Sequence, residues 1–336
     1  MKISSLPEPI YKAACQFGLL ELRTKFFYKK ITDGVSSDIY YIKTENNKEF
    51  CIKRALRKLA VKEDWFAPIN RSNFEAEYFK ECKKIIPSSF PKLLGHDSKK
   101  YILALEWFKP EQYSLWKKKL LNNKINVNDA TQVSKILNKK HAFFFNKKNY
   151  EKKFSNDKTF HDIRIEPYIL FTSQSYPEYK NKFLQAADNL MLNKKTLIHG
   201  DFSPKNILTG RNSAVILDAE TACWGDPAFD LAFCNNHIIL KSFLNPKIKN
   251  KYINLSKQFI TNYIDNLNWD EKDLFTKRFF QLLPLLILAR VDGKSPVEYF
   301  TEKEKVITRS FALEILNKNQ CNINNFISTW DKYVKK

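Results

Sequence analysis

The side chains best suited to chemistry lie close together in His199-Gly200-Asp201-Phe202-Ser203-Pro204-Lys205-Asn206 and just beyond it, at Asp218 and Glu220. Apolar runs flank them, Thr196 to Ile198, Ile207-Leu208 and Ala214 to Leu217, with a turn over 209–213. Read as strands flanking loops, this is a compact hairpin that gathers its acids at one mouth. Such a mouth suits phosphoryl transfer from a metal-bound nucleotide. That reaction needs one carboxylate to orient the attacking hydroxyl and hard oxygen ligands to hold magnesium against the phosphates. Asp201 suits the first role, and Asn206 and Asp218 the second. In extended backbone, residues two apart share a face, so Asp218 and Glu220 are expected to face the metal together. A carboxylate with a pKa near ~4 is a weak base, so Asp201 should aim the hydroxyl rather than strip it. Lys205, inside the loop, is placed to touch the transferring phosphate or else simply to be solvated.

Elements with readable signals must position these groups. Asp226-Pro227 before an apolar run reads as a helix start, with Asp226 as the N-cap and Pro227 at the first helical position; Asp230 follows one turn in. Trp224, just before that turn, either packs or lines an acceptor site. Far upstream, Phe26 to Ile31, Ile39 to Lys43 and Phe50 to Lys53 read as strands, joined by the turn 32–38 and a polar turn. Gly34 lets the first turn be tight, and Ser36 and Ser37 offer hydroxyls and amides that could meet phosphate oxygens. Lys53 closes the third strand. The helix Arg71 to Ile85, with Phe74, Tyr78 and Cys82 as its inward stripe, offers Glu75, Glu77 and Glu81 as partners for that lysine. Pro91 to Gly95 and Tyr101 to Glu106 complete a five-stranded sheet, and an amphipathic helix over Pro7 to Leu22 precedes it. From Gln112 onward the period is helical, apart from a Lys/Asn-rich stretch, Asn146 to Lys158, expected as a mobile loop.

The pattern H-G-D-x-x-x-x-N followed by D-x-E resembles the small-molecule kinases of protein-kinase-like fold, the group that holds aminoglycoside phosphotransferases, choline kinases and methylthioribose kinases. Protein kinases carry H-R-D-x-x-x-x-N and D-F-G at these places; Gly200 and Glu220 put this chain on the small-molecule side. The resemblance implies an α+β bilobal fold. Residues 1–107 would form a nucleotide-binding lobe with a five-stranded antiparallel sheet plus helix, and 108–336 a mainly helical catalytic and acceptor-binding lobe. It implies ATP and Mg2+ as cofactors and a small-molecule hydroxyl as acceptor, methylthioribose-, choline- or sugar-like. Lys53 would reach the α- and β-phosphates, with Glu75 as its partner and Glu77 as the fallback. Glu106 and Phe108 would fall at the hinge that meets the adenine, and Asp230 would tie down the backbone of the catalytic loop. Arg290 and Asp292, at the end of the most apolar helix, either bind the acceptor or close a helix end. The single Gly34 departs from the G-x-G-x-x-G of protein kinases. Two other functions are weighed: an aminoglycoside phosphotransferase, which would need an acid-rich pocket, and a nucleotide-binding protein without turnover, which would have no need of Asp201.

Bulk properties narrow the field. With 336 residues and 43% hydrophobic, the chain can bury a large core. The net charge of +21 would collect phosphate non-specifically, yet 48 of the 57 basic residues are Lys and only 9 Arg. They travel with many Asn, Ile and Phe, residues of adenine- and thymine-rich codons. Mutational bias accounts for this charge at least as well as nucleic-acid binding does, and Arg-rich base-reading motifs are missing. Six scattered cysteines without a C-x-x-C pair argue against a disulfide framework or a zinc site. The first residues show no basic-then-apolar leader, and the longest apolar run, Leu282 to Ala289, is too short to span a bilayer. The expected location is the cytoplasm.

Overall fold

The computed structural model describes residues 6–21, 23–32, 36–58, 66–318 and 322–334; Gly34 lies outside the described residues. Two compact units emerge, Met1–Gln112 and Tyr113–Lys336, where the sequence placed the division after Trp107. Among the described residues no helix is long and apolar enough to cross a membrane.

In the first unit α1 (Glu8–Gln16) precedes the strands β1 (Phe26–Ile31), β2 (Ser37–Thr44) and β3 (Glu49–Ala55), then α2 (Arg71–Ile85), β4 (Leu93–Asp97) and β5 (Ile102–Glu106). The strands form one antiparallel sheet in the order β1-β2-β3-β5-β4. Alternation along β3 sorts its side chains. Phe50 and Ile52 join Ile42, Ile102 and Ala104 in a core that α1 completes with Ile10, Ala13 and Ala14, which leaves Lys53 on the opposite face, where it meets α2. Gly95 of β4 lets Phe17 lie against the strand, since a Cβ there would stand 2.2 Å from the ring.

Three local expectations shift. Helix α1 stops at Gln16 rather than Leu22, because the chain turns left-handed at Gly18 (φ +68°). Strand β2 begins at Ser37 rather than Ile39, so Ser37 is a buried strand residue paired with Ala55, not a turn hydroxyl. On α2 the inward face carries Glu75, Ala76, Tyr78, Phe79 and Cys82, while Phe74 is only half-buried.

The second unit opens with β6 (Ser114–Leu115), α3 (Trp116–Leu121) and α4 (Val127–Phe144). The short helices α5 (Lys148–Lys153) and α6 (Asp157–Phe160) then lead into a π-helical segment, His161–Leu170, and α7 (Phe171–Ser173). Helix α5 and the start of α6 occupy the stretch expected as a loop. Tyr150, stacked edge-on against Phe144, and the buried Phe154 anchor it beneath its lysines. After α8 (Lys180–Leu192) come the short strands β7 (Thr196–Ile198), β8 (Ile207–Thr209), β9 (Ala214–Ile216) and β10 (Cys223–Gly225). They do not form the single hairpin expected. β7 pairs with β10, and β8 pairs with β6 and β9, because the loop 199–206 carries the chain from one ladder to the other.

The helices α9 (Pro227–Ser242), α10 (Lys249–Asp265), α11 (Lys272–Asp292), α12 (Glu302–Lys318) and α13 (Ile323–Val334) complete the unit. Helix α11 is apolar nearly all round and buries Phe279, Leu283, Leu286 and Ile287 against its neighbours, as such a composition requires. Helix α9 starts where the sequence signals: Asp226 accepts the Ala228 amide at 2.9 Å and Pro227 occupies the first turn. The same carboxylate takes Asn193 Nδ2 at 2.6 Å and Arg278 Nε at 2.9 Å. Asp226→Ala removes the cap and leaves the half-buried Arg278 with Asp270 alone, so it should lower stability by about 1–2 kcal/mol, read as a lower urea midpoint; an unchanged midpoint would mean the cap contributes nothing.

Candidate active site

Asp230 organises the loop after β7. One turn into α9 and fully buried, it accepts the amides of His199 at 2.7 Å (Oδ2) and Gly200 at 2.9 Å (Oδ1). Lys140 Nζ at 3.2 Å and His141 Nε2 at 3.1 Å, both from α4, complete its shell. Burial pushes the carboxyl up, but the Lys140 ammonium and the His141 hydrogen bond outweigh it and hold Asp230 well below the usual carboxylate range. His141 receives the Tyr263 hydroxyl at Nδ1, 2.7 Å away, which makes Nε2 the protonated nitrogen of a neutral ring. Burial and the Lys140 charge lower its pKa to about 3.

The backbone so fixed bends sharply at Gly200, whose φ is +73° and whose missing Cβ would stand 2.5 Å from the Thr221 carbonyl oxygen. Only glycine fits there without strain. His199 locks the next step: its Nε2 donates to the Leu217 carbonyl (2.9 Å) and its Nδ1 accepts the Asp201 amide (3.1 Å).

Asp201 is therefore presented by a rigid loop, and its carboxylate is held from three sides. Arg164 Nη2 lies 2.8 Å from Oδ1, while Lys205 Nζ at 3.0 Å and Asn206 Nδ2 at 2.9 Å reach Oδ2. Arg164 also donates from Nε to the Gly200 carbonyl at 2.7 Å. Burial raises the Asp201 carboxyl, Arg164 and Lys205 lower it further than that, and the net position is below the ordinary range. Asp201 is an ionised, weakly basic, rotationally fixed acceptor for a hydroxyl. Lys205 itself is about half exposed, with 47% of its side chain accessible.

Asn206 spends its amide hydrogens on the Asp201 carbonyl (3.0 Å) and carboxylate, so its amide oxygen remains for a cation. Asp218 lies beyond β9, half-buried, with a φ of +60°. The extended-strand argument that paired it with Glu220 fails here, because β9 ends at Ile216 and the left-handed residue breaks the alternation. Aspartate tolerates that conformation better than most residues, at a cost on the order of 1 kcal/mol. Glu220 is buried in the following turn, where Asn156 holds its carbonyl and that of Ala222. Among the described residues no three His, Cys, Asp or Glu side chains gather as a metal cage. The donors are all hard oxygens, so Asn206 and Asp218 fit a magnesium ion that takes its remaining ligands from phosphate and water.

In the first unit, Lys53 Nζ stands 3.0 and 2.8 Å from the two Glu75 oxygens, both side chains buried. Glu77, the fallback, lies 3.7 Å from Lys80. The Ser36 carbonyl accepts Arg71 Nη2 at 2.6 Å. The Glu106 carboxylate accepts from the Lys92 amide and Lys83 and its own amide donates to the Lys92 carbonyl at 3.0 Å, which spends its side chain and N–H within the unit; Phe108 is half-buried just beyond.

The three expected acceptor residues separate. Trp224 is buried in β10 beneath a recess lined by Lys148, Lys152 and Lys194, while its amide donates to the Phe154 carbonyl. Asp292 is consumed by Arg309, at 2.7 and 2.8 Å, and by the Tyr176 hydroxyl; it closes α11 rather than facing a ligand. Arg290 reaches the Tyr168 hydroxyl at 3.3 Å and Ser295. Sequence reasoning missed Arg164 and Tyr168 altogether. A signal existed: in a chain that uses Lys almost by default, an arginine is a candidate for a place that needs a planar, multidentate cation, as Arg71, Arg164, Arg278 and Arg309 prove to be.

Neutral burial of His141 has a pH consequence. Unfolded histidine takes up a proton near ~6.5, whereas folded His141 stays neutral down to about 3. Between those values the unfolded chain binds more protons, so stability falls as pH drops below ~6.5. Urea unfolding from pH 7 to pH 4 should show this decline, and His141→Gln should flatten it; an identical slope in the variant would contradict the assignment.

Known proteins resemble this chain in family and in fold. A family model described as the phosphotransferase enzyme family matches residues 28–239. The methylthioribose kinase of Bacillus velezensis is 22% identical over 247 residues, 65% of this chain and 62% of that protein, so the chain spans less than two thirds of the length of this curated relative. The choline kinase of Cryptosporidium parvum superposes with a TM-score of 0.54 at 11% identity, covering 93% of this chain and 94% of the other. The ethanolamine kinase of Plasmodium vivax does so at 0.52 and 13%, covering 93% and 82%. The two structures share the kinase-like fold.

Proposed function

Because the chain belongs to the phosphotransferase enzyme family, we propose that it moves the γ-phosphate of ATP to a hydroxyl of a small molecule. The observation that carries this reading is the buried, ionised Asp201 fixed by Arg164, Lys205 and Asn206. A carboxylate so held accepts the hydrogen of an incoming hydroxyl and lines its oxygen up for attack. Its depressed pKa makes it a poor base, so the proton passes to it late, once bond formation to phosphorus has made the hydroxyl acidic.

Lys205, adjacent to Asp201 and half exposed, donates to the oxygens of the group in transit. In the first unit Glu75 holds the Lys53 ammonium, a group suited to a nucleotide phosphate. Magnesium, when bound, supplies charge neutralisation across the phosphates, and Asn206 and Asp218 are the residues to hold it. Glu220, on the turn behind them, is a supporting acid. Arg164 positions Asp201 and does not itself need to touch substrate.

Asp201→Asn should lower kcat by roughly 10²- to 10⁴-fold while nucleotide affinity stays near the parent value, measured by coupled ADP release and by nucleotide titration. Retained turnover would remove Asp201 from the reaction. Asp218→Ala should abolish magnesium-dependent turnover, and a variant with normal rates would show that the metal is held elsewhere.

A further inference from the structure

Beyond Arg164, the second unit holds two further cations, Arg290 and Lys241, that the reaction just described does not use. Arg164, which holds Asp201, lies with its guanidinium carbon 5.6 Å from the centre of the Tyr168 ring and 5.3 Å from that of Phe233. Arg290 lies over the same Tyr168 ring, at 5.8 Å, and Phe233 packs edge-on against His237, centres 5.3 Å apart. One turn further along α9, Lys241 Nζ donates to the His237 carbonyl at 2.9 Å and lies 5.4 Å from the centre of the Tyr299 ring. A continuous path of contacts thus runs from Asp201 to Lys241.

Two of these cations lack counter-charge. Lys241 is 1% and Arg290 8% exposed, and among the described residues neither forms an ion pair with a carboxylate. Arg290 Nε and the Tyr299 hydroxyl are buried polar atoms with no hydrogen-bond partner. The nearby acid at the rim, Glu298, is held by Lys117 at 2.7 Å. Buried charge without a partner is costly, and a ligand of opposite charge would offset that cost. The neighbours register the positive field. Burial, then Lys117 and Arg290, pull the Lys241 ammonium down to about 7. The Tyr168 phenol, which burial would raise, is lowered by Arg290 and Arg164.

Resting on the phosphotransferase reading, we infer that the acceptor carries an anionic group, a carboxylate or a phosphate, received by Lys241, Arg290 and the Tyr299 hydroxyl while its own hydroxyl faces Asp201. A cationic acceptor would meet uncompensated positive charge at the same place. The acceptor is thus a hydroxylated acid or a sugar phosphate in chemical class, and the reaction that supplies it must leave both an anion and a free hydroxyl.

The test uses the full chain with magnesium and ATP and reads ADP release. The anionic probes are glycerate, gluconate, glycerol 3-phosphate and ribose 5-phosphate; the others are choline, ethanolamine, kanamycin and the uncharged methylthioribose. Turnover is expected with anionic probes alone, and whether the carboxylates or the phosphates respond identifies the group. Lys241→Met and Arg290→Met should each raise KM for that probe roughly tenfold or more, with a smaller effect on kcat, and Lys241→Arg should recover most of it. Lys241→Met should also unfold at an equal or higher urea concentration, because it removes an unpaired buried charge, whereas a merely structural lysine would show the opposite. Turnover confined to cationic or uncharged probes, or a KM that neither substitution moves, would overturn the inference and leave the kinase standing. Failure of the parent protein to bind ATP would instead overturn the kinase reading.

Discussion

Everything at the candidate active site hangs on one buried carboxylate. Asp230 takes two consecutive backbone amides, His199 and Gly200, and an ion pair from Lys140. A carboxylate stripped of water must be fully coordinated or it is destabilising. That requirement ties α4, α9 and the loop after β7 into one body, and the left-handed Gly200 and the doubly bonded His199 follow from it. Asp201 inherits its position from this frame. Its side chain then needs only Arg164, Lys205 and Asn206 to settle its rotamer.

A second theme is the division of labour between the two kinds of cation. Lysine supplies the surface charge and contacts made by a single ammonium, such as Lys117 to Glu298. Arginine appears where several acceptors must be met at fixed angles. Arg71 gathers the carbonyls of Ser36, Leu56, Ala67 and Pro68; Arg278 spans Asp226 and Asp270; Arg309 grips Asp292; and Arg164 joins Asp201 to the Gly200 carbonyl. Against a composition drifting toward lysine, these positions record geometric need. The net charge of +21, taken as a bulk number, says little about ligands, whereas the two unpaired cations at Lys241 and Arg290 say a good deal.

Within the chain itself, the five-stranded sheet, the α2 helix and the capped start of α9 were legible because each rests on a local signal. Alternation, a 3.6-residue period and Asp-Pro at a helix start are read within a few residues. Asp201, Asn206 and Asp218 could be singled out for the same reason, since their spacing within one loop and just past the strand that follows is a short-range pattern. Where a local rule was stretched, it broke. The shared face of Asp218 and Glu220 assumed extended backbone at a residue that is left-handed, and the polar stretch from Asn146 hid two aromatic anchors, Tyr150 and Phe154, that make it helical.

By itself, then, the sequence determined the five-stranded sheet, most of the helices, the loop that carries Asp201 and the family resemblance, all of which are encoded in neighbours along the chain. Only the tertiary structure decided that Arg164 belongs to Asp201, that Lys140 and His141 belong to Asp230, that Asp292 is spent on Arg309 while Arg290 is not, and that Lys241 is buried without a counter-ion. Those pairings join residues from separate elements, and a charged side chain carries no local mark of whether folding will leave it in water, neutralise it or bury it unpaired. The energy that separates these fates comes from desolvation, which depends on what the rest of the chain brings alongside.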